Sequence, residues 1–344
     1  MANQQRMYVG TEAGIIVYEE EGGAWRRDRT TLDGKRAAAL LASPDSGIYA
    51  AVPDDGVYMS VDAGRTWDHA LSGDVRCLAL DPSSPSTIYA GTEPIHLFRS
   101  TDAGDHWSEL QGLQRLPESV REKWWFPIYP HDGHVLSIFV DRQDPRIVYV
   151  GLEHGGIVRS DDAGESWEDI SDGIEYLDIH MVASDPRKQN VVYAATARAF
   201  YRSEDYGRDW VLAQEGLQRD YMHDFVLRPG DPSTLYMTTA NGTPPSWMRP
   251  TRAEAAMFRS NDGGSSWKQL GGGLPASLPR MVWAVSADPA DDAVLYAGMG
   301  DYAPNMPQGQ PVGGEIWSSP DRGDTWSKVC DTDSAIRSMC VTVS

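Results

Sequence analysis

One eight-residue turn motif recurs along this chain and limits it to a repeat architecture. The motif reads Ser-x-Asp-x-Gly-x-x-Trp, with Thr, Ser, His or Asp before the tryptophan. Its Ser and Asp side chains can bond nearby backbone N–H groups, and its Gly permits a positive φ. Fixed self-similarity of this kind indicates an array of supersecondary units. Full copies begin at Ser60, Ser100, Ser160, Ser203, Ser260 and Ser319, and a degenerate copy runs from Tyr18 to Trp25.

A second recurring string lies upstream of each turn motif. It pairs an Asp-Pro turn with an apolar Tyr-Ala-Gly segment, as at Asp81-Pro82 followed by Ile88 to Gly91. Each unit therefore reads as four strands joined by tight turns, with the motif tryptophan opening the fourth strand. Four antiparallel strands per repeat are typical of a β-propeller blade.

These motifs are those of Asp-box (BNR) repeats, and the chain resembles the seven-bladed Asp-box propellers. That group includes sortilin-type receptor domains, a photosystem assembly factor and many bacterial proteins described as sialidase-like. The segment from Arg121 to Pro127 resembles a string in bacterial cytoplasmic propellers of this kind. Sialidase chemistry itself is not expected, because the Arg-Ile-Pro segment of that family does not occur. The resemblance implies the fold and a shared site, but it does not imply a reaction.

The repeats predict one all-β domain over residues 1–344, closed into a ring. The chain starts on a second-strand string at Met7 and ends on a first-strand string at Ile336, so the last strand should complete blade 1. Blade 1 is then 5–28 plus 335–344, and the other blades are 35–70, 74–111, 132–171, 177–214, 220–271 and 279–330.

Composition limits the partners and the location. Lys plus Arg number 30 against 50 Asp plus Glu, a net charge of −20, so nucleic acid is not an expected partner. No apolar run is long enough for a membrane span, and the first residues lack the features of a signal peptide. Three cysteines suit a reducing compartment, and we expect a cytoplasmic protein.

Three long insertions, 112–133, 240–256 and 299–314, are predicted on one face, around the mouth of a central channel. Loops of this length in a compact domain are usually functional or disordered, and their aromatic content disfavours disorder. The alternative is that the aromatic segment 124–129 plugs a wide channel. The insertions supply these candidate substrate-binding residues: Trp124, Trp125, Tyr129, His131, Trp247 and Tyr302.

Aligned inner strands place further polar residues near the same mouth. In each blade we number residues backwards along the inner strand from the one equivalent to Asp81. Because side chains alternate between the two sides of a strand, the third, fifth and seventh residues before it should lie on the same side. The third is apolar in every blade, whereas the fifth and seventh are mixed. They include Arg76, His180, His223, Trp283 and Arg337 at the fifth position and Asp74, His134, Asp178 and Tyr221 at the seventh. Arg76 and Arg337 could hold a substrate carboxylate or pair with Asp74 and other channel acids.

Two classes of function follow. The first is a small-molecule enzyme, such as a metal-assisted hydrolase or lyase, acting on a partly apolar or aromatic ligand. Its catalytic candidates are His134, His180, His223, Glu153 and His154, and a divalent transition metal would be held by His134, His180 and His223. The second is a non-catalytic propeller that binds a protein or a carbohydrate. A glycoside hydrolase with paired carboxylates is a further alternative.

Overall fold

Seven four-stranded antiparallel sheets make up the fold. The computed structural model describes residues 5–126, 131–248, 252–302 and 313–343. The first sheet has the spatial order β3-β2-β1-β30 and consists of β1 (Gln5–Thr11), β2 (Gly14–Glu21), β3 (Ala24–Thr31) and β30 (Ile336–Val343). The protein is thus the predicted all-β seven-bladed propeller, in which the last strand completes the first blade.

In the other six sheets the spatial order follows the chain order. The second sheet contains β4 (Ala39–Ser43), β5 (Gly47–Val52), β6 (Gly56–Ser60) and β7 (Asp68–Ser72). The third contains β8 (Val75–Asp81), β9 (Ser84–Thr92), β10 (Leu97–Ser100) and β11 (Ser108–Glu109). The fourth contains β14 (His134–Val140), β15 (Val148–Glu153), β16 (Gly156–Ser160) and β17 (Glu168–Asp169).

The remaining three sheets repeat this pattern. The fifth contains β18 (Ile179–Asp185), β19 (Lys188–Thr196), β20 (Phe200–Ser203) and β21 (Val211–Leu212). The sixth contains β22 (Tyr221–Arg228), β23 (Asp231–Ala240), β24 (Ala256–Ser260) and β25 (Lys268–Gln269). The seventh contains β26 (Met281–Ala287), β27 (Leu295–Gly300), β28 (Gly314–Ser319) and β29 (Ser327–Thr332).

Helical structure in the described ranges is confined to two of the insertions. The first holds a short helix, α1 (Glu118–Arg121), between the 3₁₀ turns Leu113–Arg115 and Glu122–Trp124. It ends in a two-stranded hairpin of β12 (Trp125–Phe126) and β13 (His131–Asp132). The second holds the 3₁₀ turn Pro244–Met248. No helix in these ranges combines the length and apolarity needed to cross a bilayer.

The chain groups into two compact units, which are described separately. The first unit comprises 1–42 and 214–344, and the second comprises 43–213. The single-domain organisation over 1–344, with the blade limits given above, stays a prediction.

The Asp boxes are structural turns, as their residue types suggest. In the copy that starts at Ser160, the serine Oγ accepts a hydrogen bond from Gly164 N at 2.7 Å. Asp162 Oδ1 accepts bonds from Ser160 Oγ and from Ser166 N, both at 2.8 Å. The other five full copies repeat these three bonds. The motif tryptophan lies one residue before the fourth strand rather than opening it, because it still belongs to the turn.

A tyrosine on the second strand of every blade anchors the core. All seven are at most 4% exposed: Tyr8, Tyr49, Tyr89, Tyr149, Tyr193, Tyr236 and Tyr296. Tyr49 Oη donates to the carbonyl of Ala103, in the Asp box of the next blade, at 2.7 Å. Tyr236 Oη does the same to Arg322 at 2.9 Å. A buried hydroxyl needs a partner, and in these two blades the neighbouring turn supplies it.

A β-bulge interrupts the inner strand of at least six blades at the same repeat position. In β8, Val75 and Cys77 pair with consecutive residues of β9, so Arg76 is left as the extra residue. The equivalent residue is Leu136 in β14, His180 in β18, Trp283 in β26 and Arg337 in β30, and β22 has two residues there, His223 and Asp224. A bulge redirects a side chain and breaks the alternation of the strand. The fifth position is therefore a bulge residue, which the period-2 count did not include, and the common side of the fifth and seventh residues stays a prediction.

Candidate functional site

The second unit gathers acids and histidines from three consecutive blades. His134 opens β14 and Glu153 ends β15, and the antiparallel register pairs these two residues directly. Their side chains meet, with His134 Nε2 2.5 Å from Glu153 Oε2. The predicted proximity of the two residues therefore follows from the register of a single hairpin.

A second carboxylate holds the other side of the His134 ring. Glu93, just after β9, places its Oε2 3.4 Å from His134 Nδ1. Arg76 Nη2 lies 2.7 Å from the same Glu93 oxygen and donates a 2.7 Å hydrogen bond to Asp74 Oδ2. Arg76 is thus paired with Asp74, one of the two alternatives raised by the sequence.

Asp178 and His180 bring the fifth blade into the cluster. Asp178 is 8% exposed, and its Oδ1 lies 3.4 Å from His180 Nε2. Glu153, His154 and Asp178 each place one oxygen or nitrogen atom within 4.8 Å of the other two. These atoms converge at one place, where they can act on the same ligand. We call the cluster of Asp74, Arg76, Glu93, His134, Glu153, His154, Asp178 and His180 the acid–histidine cluster.

The backbone of the β15–β16 turn is strained at this site. His154 has φ 57°, in the left-handed region that residues other than glycine seldom adopt. Its Nε2 lies 3.8 Å from Glu153 Oε1, on the opposite carboxylate oxygen from His134. Strained positions of this kind are common at functional sites.

The two carboxyl groups at the centre differ in acidity. Burial, with the charge of Asp178 next, raises the pKa of Glu153 to about 7. Burial also opposes ionisation of Asp178, but the neighbouring His180, His154 and His134 outweigh it and lower the pKa of that carboxyl. Near neutral pH the site therefore holds one protonatable carboxyl group beside one ionised carboxylate.

The first insertion packs against this site. Gly133 N donates to the Trp124 carbonyl at 2.6 Å, and a Cβ on Gly133 would lie within 3.1 Å of the carbonyl oxygens of Glu153 and His154. Trp124 is partly buried against the core, whereas Trp125 is 51% exposed. Tyr129 lies outside the described residues, as does the side chain of His131. The base of the insertion thus lies against the backbone of Glu153 and His154.

The other predicted site residues lie in the first unit and form an aromatic group. Neighbouring rings have centroids 4.8 to 6.2 Å apart. Trp247 is only 7% exposed and Tyr221 only 5%, so these two rings are internal packing, whereas His223, Trp283 and Tyr302 are half-buried. The group comprises Tyr221, His223, Trp247, Trp283 and Tyr302.

Arg337 is engaged within the first unit. Its guanidinium lies 4.5 Å from the centroid of Trp283, and its Nε donates to Glu12 Oε1. Its Nη2 donates to the Asp301 carbonyl at 3.0 Å. These contacts favour the pairing alternative for Arg337 over a substrate carboxylate.

The predicted metal ligands are divided between the units, since His134 and His180 lie in the second and His223 lies in the first. The metal ion at these three residues stays a prediction.

Sequence reasoning missed Glu93 and Glu12, and the repeat did contain a signal for both. The string Gly-Thr-Glu lies at the end of the second strand at 10–12 and 91–93, where the glutamate is the next residue, and Gly-Leu-Glu closes that strand at 151–153. Each glutamate contacts a cationic or imidazole side chain of the adjacent inner strand, respectively Arg337, Arg76 and His134.

Comparisons with known proteins agree with the fold. The profile of the Sortilin-Vps10 family (sortilin, neurotensin receptor 3) matches residues 155–307. Among curated proteins, the xyloglucanase Xgh74A of Acetivibrio thermocellus is 25% identical over 271 residues, which cover 64% of this chain and 29% of that protein. The chain thus spans less than a third of the length of this relative.

Two solved structures show the same fold. The GH74 enzyme of Niastella koreensis superposes with a TM-score of 0.65 at 18% identity, covering 93% of this chain and 46% of that one. YCF48, solved bound to D1 peptide, superposes with a TM-score of 0.59 at 14% identity, covering 86% of this chain and 87% of that one. With its six hydrogen-bonded Asp boxes and seven four-stranded sheets, the chain has the fold of a seven-bladed Asp-box β-propeller.

Proposed function

We propose that this propeller is a glycoside hydrolase whose reaction centre is the pair Glu153 and Asp178. The observation that carries the proposal is the close approach of a carboxyl group with a raised pKa to a carboxylate with a lowered pKa. Two carboxyl groups with separated pKa values are what glycosidic bond cleavage requires. The similarity to xyloglucanases adds support and suggests a β-glucan as the first substrate to test.

In the first step Glu153 acts as the acid. Its carboxyl group gives a proton to the glycosidic oxygen while Asp178 attacks the anomeric carbon. The carbon–oxygen bond to the leaving sugar breaks, and an ester bond between the anomeric carbon and Asp178 forms. The leaving sugar departs as an alcohol, and Glu153 is left as a carboxylate.

In the second step Glu153 acts as the base. Its carboxylate takes a proton from a water molecule, whose oxygen attacks the anomeric carbon. The ester bond breaks, Asp178 returns as a carboxylate, and Glu153 regains its proton. A pKa near 7 suits a group that must donate and accept a proton in alternate steps.

The spacing of the two groups supports retention of configuration. Oxygens of Glu153 and Asp178 lie within 4.8 Å of each other. Retaining enzymes hold their carboxyl groups about 5–5.5 Å apart, whereas inverting enzymes need about 6.5–9.5 Å to admit a water molecule. Trp125, exposed on the neighbouring hairpin, offers an apolar face on which a sugar ring could stack.

The test measures hydrolysis of xyloglucan oligosaccharides and of a panel of aryl glycosides. We expect Glu153→Gln and Asp178→Asn each to lower kcat at least a hundredfold while the variant still unfolds in one cooperative transition. Matched controls are Glu175→Gln and Asp172→Asn, two exposed acids of the same unit, which should keep full activity. Proton NMR of the first product should show the retained anomer. Full activity in Glu153→Gln, or an inverted product, would overturn the assignment.

A peptide-binding propeller is the second candidate. It is favoured by the similarity to YCF48, because the superposition covers most of both chains, 86% of this one and 87% of that one. By contrast, it covers only 46% of the GH74 enzyme. Absence of turnover on every glycoside in the panel would favour this candidate.

A further inference from the structure

A groove lies between the first and the seventh sheet, beside the turn that joins β2 to β3. We propose that this groove is a second binding site, for an uncharged sugar ring. All its lining residues belong to the first unit, and none belongs to the acid–histidine cluster. Its volume of about 360 Å³ falls within the range of about 300–1,000 Å³ that is typical of small-ligand sites. The inference rests on the proposed function only for the choice of a glucoside as the probe.

The groove is present because the first sheet lacks a complete Asp box. Tyr18 stands where the full copies have the turn serine, so the serine hydroxyl that accepts the glycine N–H is missing. The chain turns instead through Gly22 and Gly23, with φ of 63° and 84°. Two successive residues of positive φ form the tight turn of a two-residue hairpin. Trp25 therefore lies inside β3, not in a box turn.

A full box packs against the preceding sheet, whereas this hairpin turn does not. A Cβ on the box glycine Gly323 would lie 3.3 Å from Leu270 and 3.4 Å from Tyr236, two side chains of the sixth sheet. A Cβ on Gly22 or Gly23 would meet no atom of the described residues within 4 Å. The box of the seventh sheet thus fills the space beside the sixth, and the turn of the first sheet leaves the equivalent space open.

The residue before the box serine changes together with the missing box. Four of the six full copies have arginine there: Arg99, Arg159, Arg202 and Arg259. Arg259 Nη1 donates at 2.8 Å to the carbonyl of Arg322, in the box of the next sheet, and Arg99 Nη1 does the same to Ala163. In the seventh sheet, which faces the sheet without a complete box, this residue is Ser318. The long side chain that bridges other grooves is therefore replaced here by a short hydroxyl.

The wall of the groove combines an indole with hydroxyl groups. Trp25 is half-buried, packs against the core and lines the groove. Its ring meets that of Tyr296 at 82°, with centroids 5.7 Å apart, so the two rings contact edge to face and do not stack. Ser318 and Ser327 also line the groove and are cross-strand partners on β28 and β29. A sugar ring suits this wall, because its C–H face packs on an aromatic plane and its hydroxyls donate and accept hydrogen bonds.

The charges at the groove favour an uncharged ligand. Within the described ranges, no Asp or Glu lines it. Lys328 lines it, but its Nζ lies 2.5 Å from Asp331 Oδ1 and 3.9 Å from Glu315 Oε1. An anion would gain little from a lysine whose charge two acids already balance, and a cation would meet no carboxylate on the wall.

The first experiment uses the native full-length protein with nitrogen-15 in its tryptophans. NMR follows the indole N–H signals, and the signal of Trp25 is assigned by its loss in Trp25→Phe. Titration with methyl β-glucoside should move this signal saturably, whereas titration with inorganic phosphate should leave it in place. A signal that responds to phosphate and not to the glucoside would overturn the inference, as would a signal that responds to neither.

The second experiment closes the groove. Ser318→Arg introduces the residue that bridges the groove in other sheets, so it should raise the Kd of the glucoside, measured at Trp25, at least tenfold. Ser108→Arg is the matched control, because it makes the same change of charge at an exposed serine of the second unit, and its Kd should stay within twofold of the wild type. A wild-type Kd in Ser318→Arg would mean that the glucoside binds elsewhere. That result would contradict the inference.

Hydrolysis distinguishes this site from the proposed function. Ser318→Arg should cleave aryl glycosides with the kcat of the wild type, because Ser318 does not belong to the acid–histidine cluster. A protein that hydrolyses no glycoside but binds the glucoside at Trp25 retains this inference and loses the proposed function. A protein that hydrolyses glycosides but shows no response at Trp25 retains the proposed function and loses this inference.

Discussion

His134 and Glu153 are cross-strand partners at the end of one β-hairpin, and their side chains approach to 2.5 Å. Glu153 is also buried enough that its pKa rises to about 7. A carboxyl group in this position links the stability of the fold to pH, because the folded state binds its proton more tightly than the unfolded state.

The first prediction concerns this linkage. Since the folded-state pKa of Glu153 is raised, its contribution is fully present below about pH 4.5 and is lost as the pH rises to about 7. At about 1.4 kcal/mol per pH unit, the loss amounts to as much as about 3 kcal/mol. Urea unfolding at pH 4.5, 5.5, 7 and 8 should give a flatter profile for Glu153→Gln than for the wild type. Parallel profiles of stability against pH for the two proteins would show that Glu153 has the same pKa in the folded and the unfolded state.

The second prediction concerns the Asp boxes. Asp162→Ala removes the acceptor for Ser160 Oγ and Ser166 N and should lower the free energy of unfolding by about 1–2 kcal/mol. Activity should be unchanged, because the turn does not belong to the acid–histidine cluster. Asp172→Ala, an exposed acid of the same unit, is the control for loss of charge. If Asp162→Ala lost activity without losing stability, the Asp-box turns would belong to the functional site and the acid–histidine cluster would be the wrong assignment.

The third prediction concerns the closing strand. Deleting residues 335–344 removes β30 and leaves the edge of β1 without the partner that it has from Gln5 to Thr11. Because an open edge exposes unpaired backbone groups, we expect the cooperative unfolding transition to disappear. A synthetic peptide of residues 335–344, added in trans, should restore it. A deletion variant with the wild-type melting temperature would contradict the assigned role of β30.

The fourth prediction concerns the expected metal ion. Under the proposed mechanism we expect that dialysis against a chelator leaves kcat unchanged within twofold. Metal analysis by mass spectrometry, on protein purified without a histidine tag, supplies the second measurement. A stoichiometric ion that is lost together with activity, and is released by His180→Ala and by His223→Ala, would establish the metal site instead.

The fold could be predicted because its signals are local. Ser160, Asp162 and Gly164 form their turn with hydrogen bonds that span four residues at most. Tyr149 and its equivalents fill the core at the same place in each repeat, so a pattern seen in one blade carries to the next.

The site was predicted only where one hairpin determines it. Glu153 and His154 follow from the end of β15, and His134 from its register with that strand. Glu93 occupies the repeat position of Glu12 and Glu153, but its contact with His134 joins one blade to the next and lies outside any one hairpin. The bulges at Arg76 and His180 add one residue to each inner strand, which counting by twos does not detect.

The pairing of β1 with β30 also has a consequence for biosynthesis. During translation β1 has its neighbour β2 at once, but its other edge stays unpaired until Ile336–Val343 of β30 has been synthesised. The other six blades are each continuous in sequence, so their strands can pair as they emerge. Until β30 has been made, the nascent chain therefore carries one open sheet edge along β1, and this is the edge that a chaperone would have to shield.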